Sequence, residues 1–199
     1  MTKTGIFGGS FNPIHNGHIA LARQLRAAAG LNEVWLMVSP QNPLKQQSAL
    51  LSDDKRLLMA RTALAGEPGI MASDYEFHLP RPSYTWNTLQ ALERDFPDRE
   101  FTLMIGVDNW HDFHRWYRAD DIVNRYPLVV YPRRGSQIGR VPANVTVVEA
   151  ELLDISSTDI RRRVRQGKSV AGLVPDSIVT AVTQYYTPET PKKTSAEFE

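Results

Sequence analysis

The chain has 199 residues, of which 42% are hydrophobic and 23% charged, and its 23 Lys and Arg balance 22 Asp and Glu. No global basic excess is present to attract nucleic acid or a membrane surface, so any anion site must come from local arrangement. The absence of cysteine excludes disulfides and thiolate ligands and favours a reducing compartment. No apolar run approaches the ~18–20 residues that cross a bilayer, and we expect a cytoplasmic protein with neither membrane nor nucleic-acid partners.

Apolar runs of strand length alternate with helix-like segments along the chain. Most of the runs lack strict polar alternation, which is typical of strands buried on both faces. The predicted strands are Thr4–Gly8, Val34–Ser39, Ile70–Ser73, Phe101–Val107, Leu128–Tyr131 and Val145–Glu149, the third and sixth being the weakest. The predicted helices are Ile19–Ala29, Asp53–Leu64, Thr88–Asp95, Ala119–Arg125, Ser157–Gln166 and Asp176–Tyr185.

This alternation predicts an α/β fold, a Rossmann-like doubly wound parallel sheet with a small C-terminal helical part. We expect one domain over residues 1–186, with the helical part at about 155–186. The tail, residues 187–199, is rich in Pro, Lys, Thr and Glu, and we expect it to be disordered. Two proline-bearing loops, Pro40–Leu51 and His78–Ser83, are long enough to be lids or binding loops.

A glycine-rich segment, Gly8–His18, joins the first predicted strand to the first predicted helix. Backbone N–H groups at the start of a helix lack intrahelical partners and attract anions, phosphate above all. Here they are accompanied by His15 and His18, whose imidazoles add donors that can follow charge developing on a phosphate. The pattern therefore favours chemistry at a phosphate over phosphate binding alone.

Two other interpretations of this histidine pair stay open at the level of the residues. The rings could be zinc ligands, but zinc needs further ligands and the chain has no cysteine. His111 and His114 have the same spacing, yet nothing in the sequence brings them to the first pair. The histidines could also be solvent-facing residues at a helix start.

A second element, Ile155–Arg161, contains Ser156, Ser157 and Thr158 ahead of a helical run. Such residues are good N-caps, so capping alone explains them. They could also offer hydroxyl and N–H groups to a phosphate, with Arg161 supplying a forked charge one turn later. The residues alone leave both interpretations equally open.

Taken together, the two elements resemble the nucleotidyltransferase superfamily with the His-x-Gly-His motif, present here as His15-Asn16-Gly17-His18. The segments between them narrow the resemblance to the bacterial nicotinate-nucleotide adenylyltransferases. These segments are Ser39–Lys45, Pro82–Leu89 and Gly106–Asp108, with Trp116. The resemblance runs from Thr4 to Tyr186 with its motifs in the expected order.

The resemblance implies transfer of the adenylyl group of ATP to the 5′-phosphate of nicotinate mononucleotide. The products would be nicotinate adenine dinucleotide, a precursor of NAD, and pyrophosphate, formed by direct attack of the acceptor phosphate. Mg²⁺ would arrive with ATP, and no protein metal site is expected. The alternatives are an adenylyltransferase for nicotinamide mononucleotide or phosphopantetheine, and a non-catalytic nucleotide sensor. A homo-oligomer is left open.

The resemblance also implies three groups of site residues. The residues that would stabilise charge at the phosphates are His15, His18, Lys45 and Arg161. Those that would hold ATP are Gly8, Gly9, Ser10, Phe11, Gly17, Asp108, Ile155, Ser156, Ser157 and Thr158. Those that would bind the acceptor are Asn12, Ser83, Tyr84, Thr85 and Trp116.

Individual residues carry their own alternatives. Trp116 would stack on the pyridine ring, although without the resemblance a core aromatic is the better interpretation. We interpret Arg133 and Arg134 as a solvated turn, the alternative being a clamp over a phosphate. Members of the family commonly carry a histidine before the loop lysine, where this chain has Leu44, so a contribution from that imidazole is not expected.

Overall fold

Six parallel strands form one sheet in the computed structural model, which describes residues 1–40, 50–131 and 138–188. The strands are β1 (Thr2–Gly9), β2 (Glu33–Val38), β3 (Ile70–Ser73), β4 (Arg99–Gly106), β5 (Leu128–Tyr131) and β6 (Val145–Val147). The helices are α1 (Asn16–Ala28), α2 (Asp53–Ala63), α3 (Thr85–Asp95), α4 (Val107–His111), α5 (Ala119–Arg125), α6 (Ser157–Arg165) and α7 (Val179–Tyr186).

The strand order β3-β2-β1-β4-β5-β6 reverses direction at β1. Phe7 in β1 lies opposite Leu36 of β2 on one side and Met104 of β4 on the other. The loops that follow β1 and β4 therefore leave the sheet in opposite directions and open a crevice at its carboxyl edge, where doubly wound sheets bind ligands. The predicted Rossmann-like α/β fold is confirmed.

Two apolar clusters cover the two faces of the sheet. One joins α1, α2, α6 and α7 to the sheet and includes Leu25, Leu36 and Ile160, all fully buried. The other packs α3 and α5 on the opposite face and includes Leu89 and Ile122. Because burying each such side chain contributes about 1.5–3 kcal/mol, both layers hold the strand ends, and hence the crevice, in place.

The strands agree with the sequence prediction more closely than the helices do. The helix predicted from Thr88 begins at Thr85, because Tyr84 is extended and its carbonyl accepts the Thr88 N–H at 3.1 Å. Val107 was predicted as the end of a strand but opens the short helix α4. The helix predicted over Asp176–Tyr185 begins with a 3₁₀ turn, Asp176–Ile178, and continues as α7.

Several predicted features lie outside the described residues. They are Leu44 and Lys45, most of the loop Pro40–Leu51, Arg133, Arg134 and the tail beyond residue 188. The other predicted loop, His78–Ser83, follows a 3₁₀ turn at Tyr75–His78. Within the described parts of the chain, every helix is too short or too polar to cross a membrane.

Candidate active site

The loop after β1 lies in the crevice and is shaped by an aromatic side chain. Phe11 has a positive φ of 43° and is buried. Its ring packs edge-on against Phe7 at 5.9 Å and against His18 at 5.0 Å between ring centroids. A Cβ atom on Gly9 would come within 2.9 Å of the Phe11 ring, so the close turn requires glycine there. The buried Phe11 ring thus supports the loop from the protein interior. Its predicted contact with ATP stays a prediction.

The structure stacks the two motif histidines on each other. Their ring centroids are 3.6 Å apart and their planes differ by 22°. The backbone N–H of His15, the residue before α1, donates to Nδ1 of His18 at 3.3 Å. A Cβ atom on Gly17 would lie 3.0 Å from Nδ1 of His15. Glycine in the middle of the motif therefore leaves room for the His15 ring.

Both imidazoles are held neutral at pH 7. Burial lowers the pKa of His15 to about 4. Burial, and secondly the nearby His15, hold the pKa of His18 well below its usual range. Because Nδ1 of His18 accepts a backbone hydrogen bond, the proton of the neutral ring resides on Nε2, which is left as a donor.

Zinc binding by this pair finds no support in the described residues. No group of three or more His, Cys, Asp or Glu side chains that could hold a metal ion occurs among them. The other histidine pair is exposed, with His111 at the end of α4 and His114 ahead of α5. The role of the motif histidines as donors to a phosphate stays a prediction.

The start of α6 packs directly on the β1–α1 loop. The Ser157 hydroxyl donates to the Pro13 carbonyl at 2.8 Å. Arg161 donates to the Asn12 carbonyl at 2.6 Å and to the Thr158 hydroxyl at 3.2 Å. The fold thus brings together two motifs that lie more than 130 residues apart in the sequence.

The two interpretations of this second motif apply to different residues. The Ser156 hydroxyl accepts the Asp159 N–H at 3.1 Å and caps the helix. Arg161 is half-buried over the loop, and burial lowers its pKa. Since guanidinium starts from a very high pKa, the side chain remains charged. Ser156 therefore caps α6, while Arg161 brings a cation to the β1–α1 loop, and contact of either residue with a phosphate stays a prediction.

Asn12 connects this loop to the last helix. It is buried, and its Oδ1 accepts from the Tyr186 hydroxyl at 2.6 Å and from the Leu51 N–H at 3.2 Å. Burial also raises the pKa of Tyr186, which keeps the donating proton in place. These contacts direct the amide oxygen into the protein, and contact between Asn12 and the acceptor stays a prediction.

A cavity of about 300 Å³ connects the loop to the predicted acceptor residues. Gly8, Gly9 and Ser10 line it together with Ser83, Tyr84, Thr85 and Trp116. The Ser83 hydroxyl and the Trp116 indole N–H are buried and find no hydrogen-bond partner among the described residues. Buried donors of this kind are costly unless a ligand or water binds them. The cavity is therefore equipped for a polar ligand.

Trp116 and Asp108 lie on the segment that follows β4. Trp116 is half-buried and packs against Phe113, with the ring centroids 5.3 Å apart. It is thus both a partner of a core aromatic and part of the cavity wall, and its stacking on a pyridine ring stays a prediction. Asp108 is exposed in the first turn of α4. It stands at the carboxyl edge of the sheet, and its contact with ATP stays a prediction.

The sequence motifs did not identify Arg56, a fully buried cation beside the loop. Its guanidinium donates to the carbonyls of Ser10, Ser39 and Leu51 and to the Asp53 carboxylate at 2.6 Å. A signal was present, since Arg56 shares an i, i+4, i+7 stripe with Ala60 and Ala63, which are both buried. Sequence reasoning also missed Glu76, a buried carboxyl that lines the cavity.

Comparison with known proteins gives a consistent result. Residues 6–163 match the family described as cytidylyltransferase-like. A Bacteroides fragilis protein named "probable nicotinate-nucleotide adenylyltransferase" is 46% identical over 185 residues, covering 92% of each chain. A protein of the same name from Porphyromonas gingivalis is 36% identical, over 94% of this chain and 98% of its own.

Solved structures share the fold at lower sequence identity. Plasmodium falciparum nicotinic acid mononucleotide adenylyltransferase, solved in complex with NaAD, superposes with a TM-score of 0.73 at 18% identity, over 93% of this chain and 98% of its own. The structure of a Vibrio parahaemolyticus protein named "putative nicotinate-nucleotide adenylyltransferase" gives a TM-score of 0.65 at 23% identity, over 92% of this chain and 99% of its own.

Proposed function

The chain belongs to the cytidylyltransferase-like family and, within it, to the nicotinate-nucleotide adenylyltransferases, and from this premise we propose its reaction. It transfers the adenylyl group of ATP to the 5′-phosphate of nicotinate mononucleotide, giving nicotinate adenine dinucleotide and pyrophosphate. The observation that carries the proposal is the cavity that joins Gly9 and Ser10 to Ser83, Thr85 and Trp116. We also propose that the protein works in the cytoplasm.

The chemistry needs alignment and charge stabilisation more than it needs a base. A phosphate monoester is already a nucleophile near pH 7, so one of its oxygens attacks the α-phosphorus of ATP directly. As that bond forms, the bond from the α-phosphorus to the oxygen bridging to the β-phosphorus breaks. The electron pair leaves with pyrophosphate. Negative charge grows on the α-phosphate and on the leaving group, and positioned donors lower the barrier.

The described residues supply donors of this type. The neutral His18 presents Nε2–H, because its Nδ1 is occupied by the His15 backbone. Arg161 brings a charge that is held over the loop by the Asn12 carbonyl. At the start of α1 the N–H groups of His15 and Asn16 already donate within the protein, so we propose that the remaining N–H groups at the starts of α1 and α6 attract the phosphates. We keep Lys45, outside the described residues, as a proposed further cation on the phosphates.

Magnesium fits this site as a companion of ATP. The described residues contain no cluster of three metal-ligating side chains, and Mg²⁺ is commonly bound through substrate phosphates with one or two carboxylates. When bound it neutralises charge on the phosphates. Asp108, at the carboxyl edge of the sheet, is the residue we propose to face either the metal or a ribose hydroxyl.

The acceptor is held at the other end of the cavity. We assign the nicotinate carboxylate to Thr85 and the backbone N–H groups beside it, at the start of α3. Trp116 stacks on the pyridine ring, and the unpartnered Ser83 hydroxyl donates to the same ligand. An anionic group fits here because a helix start favours negative charge.

An acceptor panel tests the proposal. The purified protein is incubated with Mg–ATP and nicotinate mononucleotide, nicotinamide mononucleotide or phosphopantetheine, and pyrophosphate release is measured. We expect the highest kcat/KM with nicotinate mononucleotide. Higher kcat/KM with phosphopantetheine, or no release with any acceptor, contradicts the proposal. Protein that becomes labelled by ATP alone contradicts direct transfer.

His18→Ala distinguishes an enzyme from a nucleotide sensor. Removing one positioned donor is expected to lower kcat by about 10²–10³-fold, while ATP affinity measured by calorimetry changes only severalfold. His78→Ala is the matched control, since the His78 side chain is 74% exposed, and it should keep full turnover. Equal turnover in His18→Ala and His78→Ala would remove His18 from the mechanism.

A further inference from the structure

A buried carboxyl group stands in the wall of the cavity. Glu76, on the 3₁₀ turn Tyr75–His78, is only 8% exposed. It accepts a hydrogen bond from the Thr88 hydroxyl at 2.8 Å and another from the Ser39 side chain. Burial raises its pKa, and the two hydrogen bonds oppose that shift. A charged Glu76 would repel an anionic acceptor. We therefore expect its role to lie in its hydrogen bonds to protein groups rather than in contact with the acceptor.

One of these contacts leads to the β1–α1 loop, which we call the phosphate-binding loop in line with the proposed function. Ser39 follows β2, and its N–H donates to the Gly9 carbonyl at 2.9 Å. The Ser39 carbonyl accepts from the buried Arg56 at 3.1 Å. Ser39 is therefore fixed to the loop on one side and to Arg56 on the other. Because Ser39 hydrogen bonds to Glu76, the position of Glu76 is fixed relative to the loop as well.

The other contact leads to the predicted acceptor end. The Thr88 N–H donates to the Tyr84 carbonyl at 3.1 Å, and the Thr88 hydroxyl lies 3.3 Å from the same oxygen. Thr88 thus closes the first turn of α3, where Tyr84 and Thr85 line the cavity. Glu76 is the described side chain that hydrogen bonds to both Ser39 and Thr88.

We propose that Glu76 is a positioning residue that sets the distance between the first turn of α3 and the phosphate-binding loop, acting through Thr88 and Ser39. The inference rests on the proposed function, since it places the acceptor relative to ATP. A carboxylate that accepts hydrogen bonds from two hydroxyl groups fixes the orientation of both groups, which a non-directional apolar contact does not do. In-line transfer is sensitive to placement, and a shift of about 1 Å can cost about a hundredfold in rate.

Thr88→Val is the main test, because valine keeps the shape of threonine and loses the hydroxyl. We expect the KM for nicotinate mononucleotide to rise about tenfold and the KM for ATP to stay within about twofold. Thr88→Ser restores the hydroxyl and should return the acceptor KM to within about twofold of the starting protein. Thr183→Val is the matched control. The Thr183 side chain is exposed, and its hydroxyl donates to the Val179 carbonyl of the same helix.

Glu76→Gln provides a second variant in case Thr88→Val does not fold. The amide replaces one carboxylate oxygen, an acceptor, with an NH₂ donor, so the Ser39 and Thr88 hydroxyls can no longer donate to two separate side-chain oxygens, and the acceptor KM should again rise selectively. If both residues act through the one hydrogen bond, the double variant raises this KM by less than the product of the single effects. Thermal unfolding of every variant checks the folded state.

The outcomes separate this inference from the proposed function. If the unsubstituted protein does not use nicotinate mononucleotide, the proposed function fails. If it does, and both variants keep the acceptor KM within about twofold, the positioning role of Glu76 is overturned alone. Equal rises in both KM values, or no rescue by Thr88→Ser, also overturn it, because they indicate general loosening of the fold.

Discussion

We call the β1–α1 loop with the start of α6 the phosphate end of the proposed site, and Ser83–Thr85 with Trp116 its acceptor end, and the two ends are built in different ways. At the phosphate end, Arg161, Ser157 and Tyr186 all donate to Asn12 or Pro13, from residues 144 to 174 positions away. At the acceptor end, the Ser83 hydroxyl and the Trp116 indole N–H have no hydrogen-bond partner among the described residues. The first end is held together by hydrogen bonds between distant parts of the chain, although Nδ1 of His15 there is also buried without a described partner, and the second contains these two unsatisfied donors.

This difference indicates how the two ends do their work. A phosphate end fixed by long-range hydrogen bonds is preorganised, which is what stabilising a transition state requires. Polar groups at the acceptor end lack hydrogen-bond partners among the described residues. A ligand that binds these groups supplies the missing hydrogen bonds. We therefore expect substitutions at the phosphate end to lower stability and those at the acceptor end to lower affinity.

Arg56→Met tests this contrast with the largest expected change. The guanidinium is fully buried and donates to three carbonyls and the Asp53 carboxylate. Methionine fills part of the space and removes the donor to the three carbonyls, while Asp53 keeps its contact with Arg81 at 2.8 Å. The free energy of unfolding should fall by about 3–5 kcal/mol, measured by urea denaturation. Arg61→Met is the control, because that side chain is 53% exposed. It should lower the free energy of unfolding by less than about 1 kcal/mol. Equal losses in both would show that Arg56 does not brace the loop.

Acid should destabilise the phosphate end through its histidines. The folded pKa of His15 is about 4, and the ordinary value is 6.5. Below pH 6.5 the unfolded chain takes up a proton that the folded ring resists. The stabilising contribution is therefore complete above pH 6.5 and is lost as the pH falls through about 4, at about 3 kcal/mol in all.

Urea denaturation of the unsubstituted protein and of His15→Asn, at about pH 7 and about pH 4.5, isolates this contribution. The unsubstituted protein should lose more stability between the two conditions than His15→Asn does, because the variant lacks the titrating ring. Parallel losses in the two proteins would mean that His15 is not desolvated, and that this end is wetter than its packing indicates.

The smallest expected effect compares two serines. Ser157→Ala removes a hydroxyl that donates to Pro13 and should cost about 1 kcal/mol of unfolding free energy. Ser83→Ala removes a buried hydroxyl with no partner among the described residues. It should leave stability unchanged or raise it slightly, while the KM for the acceptor rises severalfold. The opposite pattern in melting temperature and KM would reverse the contrast between the two ends.

The sequence was sufficient where local pattern and function coincide. The apolar runs placed the strands, and the two motifs identified segments that the fold brings together, since Arg161 of one donates to Asn12 in the loop that leads to the stacked His15 and His18. Helix boundaries were less predictable. Tyr84 and Thr85 have the aromatic and β-branched character of a strand, yet the first-turn hydrogen bond from Thr88 to Tyr84 begins the helix at Thr85.

The braces of the site could not be predicted in the same way. Arg56 and Glu76 are charged residues, which are almost always exposed unless paired. Their partners, among them Ser10 and Ser39, come from distant parts of the chain. Only the completed sheet brings these groups within hydrogen-bond distance. A charged residue on the apolar stripe of a helix is the local sign, and Arg56 carried it.

The hydrogen bond between Tyr186 and Asn12 has a consequence for synthesis. A nascent chain emerges at about 5–20 residues per second, so Asn12 leaves the ribosome long before its partner 174 residues later. Strand β1 can pair with β2 in that interval. The loop that holds the histidines acquires its last support only after α7 has emerged. The catalytic centre is thus among the last parts of the described chain to mature, although its motif is among the first to be translated.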